Sequence, residues 1–513
     1  MTRVVVSIAC LFVLVTSSVA ADFDTLFTSN MVLQRNKPIR VFGTGEPNEE
    51  ITITFVNQTV STVVNKDKIW NVSLAPQKAS KQNYELKLTS NKSKKSKILR
   101  DILVGDVWVC AGQSNMGWAV HQTLPQPTAY PAAQYLRLLR AKTPNGSKTP
   151  QTKFQINPDF NSSWQHANEQ YASKFSAVSY YFGLKVNHNL DVPIGLIEVA
   201  LGGTDIASWM PIPVLEELNC YNSVMAHYTK EITWAENHAK NPKVIETYKQ
   251  KHPSDLYNGM MHPLTRLSIK GMIWYQGENN APRYNNYEEL FTEAIKGWRT
   301  AWAQDEFPFI FVQLPAFGGK NDWQKQRTAL WPYQREAQAK AQNLNNVSMA
   351  VTLDLGEYSD IHPKYKYMVG KRLALHAIAL EKQNIIANGP IVKSIHKDKK
   401  STTLKFYNCP TGLIAKQLIF KDIPTSNNKK TTEVKIEFGY LMGFEVADSD
   451  GKFYPAEANI TAPDQVTLTS DKVSKIIDIR YGFAPFPICN LFNTEGLPAQ
   501  PFRTDAYNLP PLQ

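Results

Sequence analysis

The chain has 513 residues, long for one hydrophobic core, so two or three domains are expected. With 43% hydrophobic and 20% charged residues it has the composition of a globular protein, which excludes wholesale disorder. The formal net charge of +11 comes from dispersed lysines and two short clusters, 92–97 and 397–400, neither interleaved with aromatic residues; this argues against a nucleic-acid partner and leaves a basic surface that favours an anionic substrate.

Residues 1–20 read as a signal peptide: Arg3 supplies the positive charge, Val4 to Val15 the apolar core, and Ser18-Val19-Ala20 a small-residue cleavage site before Ala21. An uncleaved anchor is the rival, but the apolar run is short for a membrane span. No second apolar stretch approaches spanning length, and Leu509 to Gln513 is neither a lipid-anchor tail nor a retention signal. A secretory-pathway protein with no membrane anchor after cleavage is therefore expected. Seven Asn-X-Ser/Thr sequons, at Asn57, Asn71, Asn91, Asn145, Asn161, Asn346 and Asn459, agree with that route as glycosylation candidates. Once Cys10 leaves with the signal, Cys110, Cys220, Cys409 and Cys489 remain, which permits two disulfides in three connectivities.

Residues 21–100 alternate short apolar runs with Gly/Pro/Asn turns, as in Ile39 to Gly45, Ile51 to Val56 and Trp70 to Leu74; this predicts an N-terminal β-sandwich-like domain. Residues 101–385 change character. Strand-like runs at Ile102 to Cys110, Ile194 to Leu201, Lys270 to Tyr275, Phe307 to Val312 and Ser348 to Leu353 alternate with helical patterns at Tyr287 to Trp302, near Ala329 to Asn343, and at Tyr367 to Ala379. The fold class is α/β, a parallel sheet covered by helices on both sides. Residues 386–513 return to β, as in Thr402 to Phe406, Val434 to Phe438 and Val466 to Leu468, and no internal repeat is present.

The segments that can carry chemistry fall at the ends of these strands, where open α/β sheets bind ligands. In Gly112-Gln-Ser-Asn-Met116, Ser114 stands where a buried strand turns toward a helix, as a nucleophile or as a helix N-cap. The segment lacks the Gly-X-Ser-X-Gly elbow of α/β-hydrolases. In Asp360-Ile-His-Pro363, Pro363 suits a first helical turn, which would put His362 at a helix N-terminus whose dipole keeps the ring neutral. Asp360 would hold the other ring nitrogen or cap the helix, and His262 is a rival base with no acid nearby in sequence. Gly202-Gly-Thr204 offers backbone N–H groups to an oxyanion, and Gln276 a side-chain amide; each segment also suits a tight turn. No metal-ligand spacing, phosphate-cradling loop or dinucleotide fingerprint appears, so no metal and no cofactor are expected.

These blocks, with Trp274-Tyr-Gln-Gly-Glu278, Met31-Val-Leu-Gln34, Tyr257 to Met260 with His262-Pro-Leu264, Arg480-Tyr-Gly482 and Glu495-Gly-Leu-Pro498, resemble the sequence blocks of sialate O-acetylesterases, which belong to the SGNH-type carbohydrate esterases. The resemblance covers most of the chain. It implies a flavodoxin-like three-layer core with flanking β-domains, and a lysosomal or secreted serine esterase that removes O-acetyl groups from sialic acids or sialoglycans. By position, Ser114 matches the nucleophile, His362 the base, and Gly203 and Gln276 the oxyanion sites. SGNH enzymes place the acid three residues before the histidine; here that position is Ser359, and Asp360 stands two before, with Asp354 and Glu278 as substitutes. An acetylesterase for another polysaccharide such as xylan, or an inactive carbohydrate-binding homologue, are the alternatives. Oligomeric state is left open.

Overall fold

The computed structural model describes residues 21–125, 133–304, 306–319, 325–326, 328–398, 401–424, 431–436 and 439–509. The expected signal peptide lies outside them. Among the described residues no helix is long and apolar enough to cross a membrane.

The organising element is one strand of 20 residues, β1 (Ser93–Gly112). Its first part pairs antiparallel with Ser80–Ser90, which carries on to Glu50–Phe55 and Gln58–Val63. Facing these is a second sheet of Asp22–Phe23, Ile39–Thr44 and Ile69–Leu74. Alternating residues of both sheets, among them Ile51, Ile53, Phe55, Leu86, Val41, Phe42 and Trp70, bury together. The period-2 pattern in the sequence is this two-sheet core. β1 crosses position 100 without a break and becomes the centre of the α/β sheet.

That sheet is built from β1, β2 (Ala133–Arg140), β3 (Gln165–Ala167), β4 (Ile194–Ala200), β5 (Gly271–Tyr275), β6 (Phe309–Val312) and β7 (Val347–Ala350), in the order β3-β2-β4-β1-β5-β6-β7. All are parallel except the edge strand β3. Strands covered on both faces need apolar residues at every position, hence the unbroken runs. Val107, Val109, Trp274, Phe309 and Phe311 face helix α3 (Tyr287–Trp302). Trp108, Cys110, Ile273, Ile310 and Val312 face the other side, against α2 (Ala177–Leu190) and α5 (Lys366–Ala379). Helix α3 spans the residues its spacing predicts, with Tyr287, Leu290, Phe291, Ala294, Ile295, Trp298 and Trp302 on its buried stripe.

The C-terminal region forms a four-stranded antiparallel sheet (Ile391–Lys397, Ser401–Tyr407, Gln465–Thr469, Glu457–Ala462) and a second one around Phe444–Ala447 and Asp478–Tyr481. It braces the core through α4 (Trp331–Lys340): buried Arg335 donates to the Ala484 carbonyl, and Arg503 pairs with Glu336 at 2.7 Å. The fold is thus an α/β unit with a mixed sheet and additional β-sheets.

One expectation changes here. The disulfides that four cysteines permit do not form: Cys110, Cys220, Cys409 and Cys489 are each free and buried. Cys110 sits inside the central strand and Cys220 at the start of helix Tyr221–His238, each packed as a small apolar side chain. Of the sequon asparagines, Asn57, Asn71, Asn91, Asn161, Asn346 and Asn459 are exposed and Asn145 is half-buried; Asn145, Asn161 and Asn346 donate to the Gly259 carbonyl at 3.0 Å, the Tyr171 hydroxyl at 2.6 Å and the Glu306 carbonyl at 3.0 Å.

The two halves of β1 meet at Asp106, a fully buried carboxylate held by Arg35 Nε and Nη2, both at 2.8 Å, and by Gln34 Nε2 at 3.2 Å. Removing one partner of a buried pair leaves an uncompensated charge, which costs about 3–5 kcal/mol. Asp106→Ala should lower stability by roughly that amount in urea denaturation; a change below about 1 kcal/mol would show that this pair does not brace the junction.

Candidate active site

Three neighbouring strands end level. Gly112 of β1 pairs with Ala200 of β4 on one side and Tyr275 of β5 on the other. The chain must leave this crowded edge at once, and Gly112, at φ +147°, makes that departure; a Cβ there would lie 2.1 Å from the Tyr275 carbonyl oxygen. Gln113 follows, its N–H bonded to that carbonyl at 3.0 Å, and Ser114 opens the short helix α1 (Ser114–Gly117). The helix cap is Gln113, so Ser114 is not the N-cap that its position also suited. As the first helical residue it has a backbone N–H without an intrahelical acceptor. Gly202, at the end of β4, abuts it: a Cβ there would stand 3.2 Å from Ser114 Cβ.

His362 reaches the same point from the segment after β7. Its Nε2 lies 2.9 Å from Ser114 Oγ, across 248 positions of sequence. It does not sit on a helix: α5 begins at Lys366, three residues past Pro363. The ring is kept neutral by other means. Burial lowers its pKa, the Lys366 ammonium lowers it further, and Asp360 opposes both. Trp118 stacks on the ring, with centroids 4.8 Å apart and planes at 17°. His262, the rival base, donates from Nδ1 to the Gln151 carbonyl, 2.8 Å away, and does not line the site.

The three candidate acids separate cleanly. Asp354 is bound by both terminal nitrogens of Arg372, at 2.6 and 2.7 Å. Glu278 accepts from Asn115. Asp360 is the one near the imidazole, yet its Oδ1 accepts the His362 backbone N–H at 2.9 Å and stands 3.8 Å from Nδ1, beyond hydrogen-bond length.

A buried polar cluster ties these segments together. Asn115, next to Ser114, donates through Nδ2 to Glu278 and to the Ile361 carbonyl at 3.0 Å, and its Oδ1 accepts from Lys366 Nζ. Lys366 is fully buried, and desolvation pushes its pKa down to about 7 despite Glu278, Glu357 and Asp360. Burial likewise raises Glu278 above the usual carboxylate range. Asn115, Lys366 and Trp118 were not singled out in the sequence. Adjacency to Ser114 was a signal for Asn115; a lysine at the start of a helix carries no mark of being buried.

The donors are only partly as expected. Gly203, at φ +64°, lines a cavity of about 390 Å³ together with Ser114, Gly202, Asn279, Phe317, Trp331 and His362. Gln276 does not reach it. That side chain is fully buried, its Nε2 donating to the Thr204 carbonyl at 3.0 Å and to Asn280 Oδ1 at 2.6 Å, while its Oε1 accepts from Tyr287. Gln276 therefore joins the β4 and β5 loops, and the amide residues that line the cavity are Asn279 and Gln113, whose Oε1 faces the Gly277 N–H at 3.5 Å. Asp205, His227 and Glu231 bring ligand-type atoms within 4.8 Å of one another, but both oxygens of Asp205 are bonded to Arg283 Nη2 at 3.0 Å, a cation of the chain itself. A hydroxyl beside an imidazole of lowered pKa, on the wall of a cavity that Gly202 and Gly203 also line, is equipped for acyl transfer.

Comparison with known proteins agrees with that chemistry. Residues 104–251 and 237–379 match the family described as carbohydrate esterase, sialic acid-specific acetylesterase. The chain is 27% identical to the sialate O-acetylesterase of Mus musculus, with 94% of this chain and 93% of that protein covered. It is also 27% identical to that of Homo sapiens, with coverage of 94% and 92%. Among solved structures, it is similar to a carbohydrate acetylesterase from Xanthomonas citri at a TM-score of 0.77 and 30% identity, covering 95% of this chain and 100% of that one.

Two outcomes test the geometry. His362 must be neutral to accept a proton, and its pKa is lowered, so the labelling of Ser114 by a fluorophosphonate should persist on acidification and fall with a midpoint below about 6.5, the ordinary histidine value. A midpoint above that value would contradict the burial argument. Asn115→Ala removes the link between the three segments; labelling of Ser114 should slow by about tenfold or more while the fold is retained, and an unchanged rate would show that the cluster does not position it.

Proposed function

The chain belongs to the sialic acid-specific acetylesterase family of carbohydrate esterases and is a carboxylic ester hydrolase acting on acetylated carbohydrate, and from that premise we propose that it removes O-acetyl groups from sialic acids through an acetyl-serine intermediate on Ser114. The observation that carries this reading is the 2.9 Å contact between Ser114 Oγ and His362 Nε2.

Ser114 Oγ attacks the acetyl carbonyl as His362 Nε2 takes its proton. The tetrahedral oxyanion is held by the N–H groups of Ser114 and Gly203. Asn279 supplies the side-chain amide in place of Gln276; one of its two N–H bonds goes to Asp205 at 2.9 Å, which leaves the other for the substrate. His362 returns the proton to the departing sugar oxygen. It then deprotonates the water that releases acetate from Ser114. Asp360 acts as the acid: from 3.8 Å its charge stabilises the imidazolium that forms in each step.

The arrangement is of the flavodoxin-like SGNH type. In support, β4, β1, β5, β6 and β7 follow the order 2-1-3-4-5 once β2 and the edge strand β3 beyond it are set aside, and the site lies at the β1 switch point. The apolar segment at residues 4–15 and the exposed sequons support a secreted or lysosomal glycoprotein, modified at Asn57, Asn71, Asn91, Asn161, Asn346 and Asn459.

Ser114→Ala and His362→Ala should each lower turnover by roughly 10⁴-fold or more with the far-ultraviolet dichroism unchanged, and Asp360→Ala by a smaller factor. Release of acetate from O-acetylated N-acetylneuraminate should exceed that from acetylated xylan. Preference for the xylan would overturn the substrate, and wild-type turnover by Ser114→Ala the mechanism.

A further inference from the structure

We infer that Lys251 recognises the carboxylate of the substrate, and so is the residue that makes an acidic sugar the preferred carrier of the acetyl group; this rests on the sialic acid reading above.

Lys251 lies just past helix Pro242–Lys249, in a segment pinned to the stretch that follows the Gly202–Gly203 turn. Ser208 Oγ donates to the Lys251 carbonyl at 2.6 Å, and Ser254 N–H to the Ala207 carbonyl at 2.9 Å. These bonds bring the ammonium to the far side of Gly203: a Cβ on that glycine would stand 3.3 Å from Lys251 Nζ. The same glycine lines the cavity, and its neighbour Gly202 touches Ser114. Adjacent Cα atoms are about 3.8 Å apart, so the acyl-bearing hydroxyl and the ammonium lie within the span of one monosaccharide, with no side chain at Gly203 to screen them from each other.

The ammonium is half-buried and stacks over the Tyr248 ring at 5.0 Å. Asp205 and Glu231 attract it from a distance, but among the described residues no carboxylate lies within ion-pair range of it. Asp205 is taken by Arg283, and Glu231 faces His227 at 3.4 Å. A partly desolvated cation with no ion-pair partner among the described residues, beside the glycine that follows Gly202, suits an anion brought by the substrate. A sialic acid carries an ionised carboxylate on the same sugar as its acetylated hydroxyls; acetylated xylose residues carry none.

The test compares wild type with Lys251→Met and Lys251→Arg on three esters: O-acetylated N-acetylneuraminate, its carboxyl methyl ester, and a neutral aryl acetate. Lys251→Met should lower kcat/KM on the acid by roughly 10- to 100-fold, chiefly through KM, with a loss on the aryl acetate several-fold smaller. Wild type and Lys251→Met should treat the methyl ester alike, and Lys251→Arg should retain most activity on the acid. Equal losses on all three esters, or none on the acid, overturn the role of Lys251 while the sialic acid reading stands. Failure of wild type to cleave the acetylated sialic acid overturns that reading, and the role of Lys251 falls with it.

Discussion

The Asn115 carboxamide is the constraint on which the rest of the site depends. Ser114 and His362 come from segments 248 positions apart, and no secondary-structure element joins them directly. Asn115 does so from the helix of Ser114, by holding Glu278 after β5, Ile361 beside His362, and the first residue of α5. Asn115, Glu278 and Lys366 are all buried. An unsatisfied polar group there costs about 1–3 kcal/mol, so the loops gain more by meeting in one arrangement than by relaxing apart. Glu278 Oε2 has no partner among the described residues, which makes the cluster dependent on the bonds it does form.

Charge is arranged to suit this. Lys366 and Glu278 are both shifted toward their neutral forms by burial, so the cluster carries less separated charge than its composition suggests. Lys366 also disfavours a second cation at His362, and Trp118 shields one face of that ring. The cavity wall is supported from outside the α/β sheet. Phe317 and Trp331 line it, the Phe317 N–H is bonded to the Pro485 carbonyl at 3.0 Å, and Arg335 of α4 reaches Ala484. The C-terminal β region thereby helps shape a site to which it gives no reactive group.

Much of this was legible in the sequence because it depends on periodicity. The buried stripe of α3, the unbroken apolar runs of the parallel strands and the alternation of the N-terminal sheets each follow from one face or two faces being covered. The strand ends carrying Ser114, Gly202–Gly203 and His362 were legible for the same reason. What failed depends on partners distant in sequence. Pro363 marks a permissible helix start, but α5 begins at Lys366, whose burial against Asn115 and Tyr275 decides the boundary. Gln276 stands at the right strand end, yet its amide is satisfied by Thr204 and Asn280 before any substrate arrives. Free cysteines in a chain of this size are buried as apolar groups, which counting cannot reveal.

The continuous strand β1 has a consequence for how the chain is made. During synthesis its first part finds Ser80–Ser90 already available, since that segment precedes it. The stretch from Asp106 to Gly112 has no such neighbour: its partners at Ile194–Ala200 and Gly271–Tyr275 emerge some 80 and 160 residues later. In that interval an apolar strand with two open edges is held rigid by the finished N-terminal sheets, the condition under which nascent chains pair with one another. The feature that places Ser114 so firmly in the finished protein is therefore also the point at which its biogenesis is most exposed.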